Sequence, residues 1–234
     1  MIAFAIVLST LLSYALGALI GIPVLLPLLN AAAGVPFMVQ ALRRGDLPLA
    51  VARMLLWALA MGVCATLWSF ARPTQSEALI LRGEAYRVEM FSWVMTGKGE
   101  ESTPSRFLPR HLAHAAVFAA LALSTGSLLA MPMGAVLMNY MGHYVGALAA
   151  ASRHPGWVMV LGWHPWSIIR IISFVAIGVV LSVPLLSRVT VIRIDGRLAK
   201  RWLGLAAVGL IVDVALKALL APAWQRLLLR ATGW

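Results

Sequence analysis

Carboxylates and imidazoles, the side chains that most often carry protons in enzymes, gather in one stretch of this sequence. Glu100 and Glu101 come shortly before His111 and His114, and His143 follows further along the chain. His111 and His114 are three residues apart, so on a helix they share a face and can both reach one ion or one substrate. Imidazole titrates near neutral pH, and a carboxylate can complete a proton relay or a ligand set. These five residues are therefore the candidate catalytic residues.

A second set of ionisable residues lies inside apolar segments, where a charge is costly and needs a partner. Asp213 and Lys217 are four residues apart, so on one helical face they can neutralise each other. Alternatively, Asp213 faces Arg170 and couples to the movement of a proton or cation. Arg170 either joins that pairing or extends its guanidinium to the membrane surface. The three residues are candidate ion-coupling residues.

The sequence does not identify a metal or any other cofactor. Four methionines supply thioether groups and the nearby His143 supplies an imidazole, and both kinds of ligand suit Cu(I). Methionine is also an ordinary filler of apolar helices. The four are Met131, Met133, Met138 and Met141. The single cysteine, Cys64, leaves no internal disulfide and no CxxC pair. Neither an HExxH zinc motif nor a Walker motif occurs.

The elements that must position these residues follow from the composition. Of 234 residues, 62% are apolar and only 12% are charged, against roughly 25% charged in soluble domains. Residues 1–42 and 112–152 contain no Asp, Glu, Lys or Arg. Each of these segments exceeds the roughly 20 residues that cross a hydrocarbon core as a helix. The sequence predicts an all-α, multi-pass membrane protein with about six transmembrane helices, within a range of five to seven.

The apolar segments divide the chain into membrane spans of one transmembrane domain over residues 1–234. Residues 23–42 form either a further span or a re-entrant segment, since Pro23, Pro27 and Gly34 interrupt them. A tight turn at Met131–Gly134 joins the two helices of a hairpin. The other expected spans are 2–22, 53–71, 111–131, 134–152, 166–187 and 202–222.

The one sizeable polar region is the loop at 72–110. Within it, residues 76–95 space their apolar side chains at helical intervals, with charged residues largely elsewhere. This pattern predicts one amphipathic helix lying in the membrane interface, with Trp93 at the level of the lipid head groups.

Glycine spacing and charge indicate what the helices contact. Gly17 and Gly21, and likewise Gly142 and Gly146, are four apart, a spacing that lets helices approach closely in lipid. Packing within the chain is the first interpretation. A homo-oligomer or a contact with other membrane subunits is the alternative.

The net charge of +11 comes mostly from short loops between apolar segments. This is the pattern of the positive-inside rule and does not indicate nucleic-acid binding. We expect the basic loops at 42–53 and 188–201 to face the cytoplasm. Arginine far outnumbers lysine and alanine is abundant, a composition typical of GC-rich bacteria. The expected location is the bilayer of a bacterial inner membrane.

Two classes of function fit these features. Broken apolar segments and buried charges favour a transporter, or the membrane subunit of a transport or secretion complex. The Glu/His cluster favours the alternative, an intramembrane or interfacial hydrolase or transferase acting on a lipid, isoprenoid or peptide. Convergence of the five candidate catalytic residues on a cavity would favour the enzyme, and their dispersal would favour transport.

Overall fold

The computed structural model describes all residues from Met1 to Trp234 and is all-α, with ten helices and no strands. One 3₁₀ turn, Glu100–Ser102, precedes the sixth helix. The helices are α1 (Ile2–Ile20), α2 (Leu25–Arg43), α3 (Leu47–Ala71), α4 (Pro73–Leu79), α5 (Gly83–Thr96), α6 (Pro104–Thr125), α7 (Ala130–Ala150), α8 (Pro155–Leu161), α9 (Pro165–Val189) and α10 (Gly196–Thr232).

Six of these helices are long and apolar enough to cross a membrane, so the chain is a multi-pass membrane protein. They are α1, α2, α3, α6, α9 and α10. The first apolar segment is thus two spans, separated at Gly21, which ends α1 in the left-handed conformation (φ 72°) that favours glycine. Asn139, Tyr140 and His143 lower the hydropathy of α7 below that of the six, although α7 follows α6 through a tight turn and returns the chain to the end of the bundle where α6 begins.

The centre of the bundle is the contact between α3 and α7, which are also the helices with the most buried residues. Gly142 and Gly146 of α7 lie directly against the α3 backbone at Thr66, so close that no side chain would fit. Gly17 packs on Leu26 within the α1–α2 hairpin. The glycine spacing at 142–146 therefore serves packing inside the chain, the first of the two interpretations given above.

Several helix bounds differ from those expected. Helix α3 begins at Leu47, not residue 53, because the Asp46 carboxylate accepts from the Leu49 N–H (2.9 Å) and caps it. Arg53 is consequently buried within α3 and donates to the Phe37 carbonyl and to Gln40 Oε1, both at 3.0 Å. Helix α10 also runs longer than 202–222 at both ends.

The hairpin turn lies earlier than predicted. Gly126 and Ser127 adopt positive φ (58° and 68°), and α7 already begins at Ala130. Pro132 falls in the first turn of α7, where the missing N–H costs no hydrogen bond. The turn predicted at 131–134 was therefore wrong, because Pro132 lies in the first turn of a helix and not at a break between two helices.

The single amphipathic helix predicted at 76–95 is two helices, α4 and α5. The chain breaks at Ile80, which is extended, and at Arg82, which has φ 55°. Trp93 is not at a lipid surface: it is 1% exposed, and its indole N–H donates to Ser102 Oγ (2.6 Å). Its neighbours are protein because α5 packs on α7 and α10.

The bundle has two ends that differ in charge and structure. At the basic end, the turn at 44–46 lies beside the loop at 190–195, since a side chain on Gly45 would lie 3.1 Å from the Arg193 carbonyl. At the opposite, capped end, the segments 72–103 and 151–164 cover the helices. There the Arg153 N–H donates to the Thr232 carbonyl (2.9 Å).

Candidate functional site

A cavity of about 980 Å³ lies between α6, α7, α9 and α10, with α5 and the 3₁₀ turn at its capped-end side. This volume is at the upper end of the range of small-molecule sites, about 300–1,000 Å³. On α6 and α9, ionisable lining residues lie nearer the capped end than the lining phenylalanines in the middle of the same helix. His111 precedes Phe118 on α6, and Arg170 precedes Phe174 on α9. The cavity therefore has a polar end and an apolar end.

The polar end holds most of the ionisable groups singled out in the sequence. Glu100, Glu101, His111 and His114 all line it, together with Arg170, Asp213 and Lys217. Four further acidic or basic side chains join them: Arg82, Glu89, Arg110 and His164. The apolar end is formed by Phe118, Met131, Met133, Val136, Leu137, Phe174 and Leu210.

Two buried ion pairs organise the polar end. Asp213 receives two hydrogen bonds from Arg170, each 2.9 Å, in a bidentate arrangement across α9 and α10. Lys217 donates to Glu101 Oε1 (2.7 Å) and lies 4.5 Å from the centre of the Phe107 ring. Asp213 and Lys217 therefore each have a partner on another element, not one another. Of the alternatives left open by the sequence, the structure shows Asp213 facing Arg170.

His111 has a defined tautomer. Its Nδ1 lies 2.9 Å from the Phe107 carbonyl, and a carbonyl only accepts, so Nδ1 carries the proton. In the neutral ring Nε2 is then the lone-pair nitrogen, able to accept a proton or bind a ligand. Nε2 is itself buried and has no partner in the protein.

His164 also lines the polar end, although it was not selected from the sequence. It precedes α9, is 1% exposed and stacks on Trp166 with ring centres 4.7 Å apart. Burial lowers the pKa of His164 to about 3, with Lys217 and Arg170 acting in the same direction against Glu101. The ring is therefore neutral, and its Nε2 lacks a protein partner. A histidine beside Pro165 resembled an ordinary helix start, which is why it gave no signal.

The carboxylates at this end differ in their proton affinity. Burial alone would raise the pKa of Glu101, but Lys217 and Arg170 outweigh that effect and lower it. Partial burial raises the pKa of Glu89, as do the Glu100 and Glu101 carboxylates, against the opposing effect of Arg110 and Lys217. Glu101 is thus held charged, whereas Glu89 takes up a proton more readily.

His143 does not join the cluster. Its Nδ1 faces α3 and α4, within 3.1 Å of Ser69 Oγ and 3.3 Å of Ser76 Oγ. The same rotation of α7 directs Met138 and Met141 to the cavity. The methionine and histidine groups that would suit Cu(I) therefore lie on two different sides of α7. No group of three or more His, Cys, Asp or Glu side chains is arranged to hold a metal ion.

Comparison with protein families, with curated proteins and with solved structures returned no match to this chain.

Proposed function

We propose that the chain is an intramembrane hydrolase or transferase acting on the polar head of a lipid-like substrate. One observation carries this proposal: four of the five candidate catalytic residues, Glu100, Glu101, His111 and His114, converge on a cavity that is polar at one end and apolar at the other. This convergence favours the hydrolase or transferase over transport.

The shape of the cavity fits an amphiphile. A lipid or isoprenoid has an apolar chain that gains free energy among Phe118, Phe174 and the methionines, and a polar head that needs hydrogen-bonding partners. Exposed apolar residues of the lining, Leu112 on α6 and Ile211 on α10, border the bilayer at the same time. A membrane lipid is therefore the substrate class most accessible to this site.

His111 is the proposed general base. Its Nε2 takes the proton of a water molecule or acceptor hydroxyl, and the freed oxygen bonds to the electrophilic atom that links the head group to the rest of the substrate. The Phe107 carbonyl, bonded to Nδ1–H, holds the ring in the tautomer that this step needs. Arg170 and Lys217 each keep N–H groups that their carboxylate partners do not bind, and these donate hydrogen bonds to the negative charge that develops transiently on the attacked group. The protonated His111 then returns this proton to the leaving oxygen as that oxygen's bond to the attacked atom breaks.

Transport is the second candidate, and the bidentate Arg170–Asp213 pair favours it specifically. Paired charges between spans α9 and α10 resemble the coupling groups of proton- or cation-driven carriers. The two functions separate in one assay, since an enzyme changes the lipid chemically and a carrier only moves its cargo across the vesicle membrane.

For the location, we propose a bacterial inner membrane with the basic end in the cytoplasm. The turn at 44–46 and the loop at 190–195 meet there, and the neighbouring helix ends add Arg43, Arg188 and Arg197. Short basic loops are retained on the cytoplasmic side.

The proposal is tested by filling the apolar end. In Gly134→Leu the new side chain starts 3.4 Å from the Phe118 ring, without a backbone clash, and occupies space that the lipid chain would need. The matched control is Gly204→Leu on α10, where nothing lies within 4 Å. Both variants and the wild type are reconstituted into vesicles of bacterial lipid extract, and products are identified by mass spectrometry. We expect conversion by the wild type and the control only; conversion by Gly134→Leu at the wild-type rate would contradict the proposal.

A further inference from the structure

The buried charges at the polar end of the cavity cancel one another. Arg170 is paired with Asp213, and Lys217 with Glu101, so two cations meet two anions. The exposed fractions of the Asp213 and Lys217 side chains are 1% and 0%. These pairs are therefore largely removed from water, and neither cation is left over to receive an anion.

The rim of the cavity repeats this balance. Arg110 forms a salt bridge with Glu100, and the two remaining charged groups of the lining, Arg82 and Glu89, have opposite signs. The lining as a whole thus contains four basic and four acidic side chains. This neutrality contrasts with the chain as a whole, whose net charge is +11.

A site with balanced charges discriminates against a charged ligand. An anionic head entering it would either bring an uncompensated charge into a poorly solvated space or displace Glu101 or Asp213 from its cation, and both are costly. A neutral head brings no such charge. A zwitterionic head brings its own counter-charge and can align with the two existing pairs.

We propose that the lipid bound in this cavity has a head group with no net charge, either neutral or zwitterionic. This inference rests on the proposed function and specifies its substrate class. Two histidines with an unpartnered ring nitrogen, His111 and His164, supply hydrogen-bonding positions that a neutral head requires.

The test uses three photoreactive lipids with identical chains and a diazirine near the chain end: diacylglycerol, phosphatidylcholine and phosphatidylglycerol. The full chain in neutral vesicles is labelled with each, and adducts are quantified at Met131, in the apolar end, and at Met138, two turns further along α7. Both line the cavity and are only 2% and 7% exposed, so labelling there reports the cavity and not the lipid-facing surface. We expect labelling by one of the first two lipids to exceed that by phosphatidylglycerol at least about tenfold.

Removing one carboxylate from the lining should shift the lipid preference towards an anionic head group. Glu101→Gln leaves the Lys217 cation without its carboxylate, so phosphatidylglycerol labelling should rise relative to phosphatidylcholine. Glu84→Gln, an exposed acid of α5 outside the cavity, is the matched control and should leave the ratio unchanged. The wild-type comparison stands even if Glu101→Gln fails to fold.

The outcomes separate this inference from the proposed function. Stronger labelling by phosphatidylglycerol than by the other two lipids in the wild type would overturn the inference and leave a lipid enzyme in place. Equal labelling by all three would also overturn it. Labelling by none of them would overturn the proposed function together with the inference.

Discussion

Asp213 shows how a buried charge is matched at the scale of single residues. Its carboxylate is 1% exposed, and two hydrogen bonds from one guanidinium satisfy both oxygens. Such bidentate pairs are among the stronger charge-assisted interactions. Removing one partner leaves the other charge buried without compensation, which costs far more than losing the pair as a whole.

We therefore expect Asp213→Asn and Arg170→Gln each to destabilise the protein by about 3 kcal/mol, and the double variant to lose clearly less than the sum. Melting in detergent of the two single variants and the double variant measures this coupling. The comparison is Asp213→Asn with Lys217→Gln, which removes members of two different pairs and should show weaker coupling. Equal coupling in both cycles would show that the charges act as one undivided cluster.

The lowered pKa of Glu101 predicts that the folded protein loses stability in acid. The Glu101 pKa is lowered in the folded protein relative to the ordinary value of about 4.3. A lowered pKa means that the charged form stabilises the fold above the ordinary value, and that this contribution is lost as pH falls towards the folded-state pKa. Melting temperature should thus drop below about pH 4.3.

Replacing both members of the pair tests this assignment. In the double variant of Glu101→Gln with Lys217→Gln, the acid-induced drop in melting temperature should be smaller than in the wild type. Glu84→Gln, an exposed acid outside the cavity, should keep the wild-type profile. If the double variant and the wild type lose stability in parallel, another carboxylate is responsible.

The residues of the site were predictable where they share one local segment. Glu100, Glu101, His111 and His114 stand within one loop and the helix that follows it, so local chain geometry keeps them near one another. The position of His143 depends on the rotation of α7 about its axis, and that of His164 depends on how the start of α9 is buried. The spacing of residues along the chain predicts neither the rotation nor the burial. The Arg170–Asp213 pair was one of two alternatives, because the sequence shows candidate charges but not which helices are adjacent.

At the scale of elements, the contact between α3 and α7 depends on the absence of side chains. Gly146 lies against the Thr66 carbonyl and the Ser69 side chain, inside the distance that a methyl group would need. Without these glycines the two central helices would have to separate. Helix α7 carries Met138 and Met141 into the cavity, so its distance from α3 also affects the site.

We expect Gly146→Ala to destabilise the protein by about 1–3 kcal/mol, the usual cost of forcing extra volume into a packed contact. The control is Gly204→Ala on α10, where nothing lies within 4 Å. There alanine should be neutral or stabilise the helix by about 0.5–1 kcal/mol. Thermal unfolding in the same detergent compares the two. A wild-type melting temperature for Gly146→Ala would contradict this account of the contact.

The helices were predictable where a long uncharged segment ends at a clear helix-breaking residue. They were less predictable at proline, which occurs both in turns and in the first turn of a helix. Pro132 looked like a turn, yet the turn needs the positive φ of Gly126 and Ser127, and Ser127 is not a residue that signals it. The break between α4 and α5 falls at Ile80 and Arg82, neither of which is a typical turn residue. Tertiary packing of α5 on α7 and α10 overrides the local pattern there.

At the scale of the whole molecule, the two ends of the bundle predict its orientation. Arg44 and Arg193 lie at the basic end, whereas Lys98 and Arg153 lie at the capped end. Single cysteines at these four positions, on a background with Cys64→Ala, are labelled from each side of inner-membrane vesicles. We expect positions 44 and 193 to react from the cytoplasmic side, and 98 and 153 from the other. Labelling of 44 and 193 from opposite sides would contradict the fold itself.

The most direct measurement of the central claim is the initial rate of lipid conversion by reconstituted protein with and without the His111 imidazole. His111→Gln keeps a polar side chain of similar size but cannot take up a proton, so the rate should fall about 100-fold or more. His154→Gln, an exposed histidine before α8 and outside the cavity, is the matched control and should convert lipid at the wild-type rate. Both variants should have the melting temperature of the wild type. Conversion by folded His111→Gln at the wild-type rate would contradict the account.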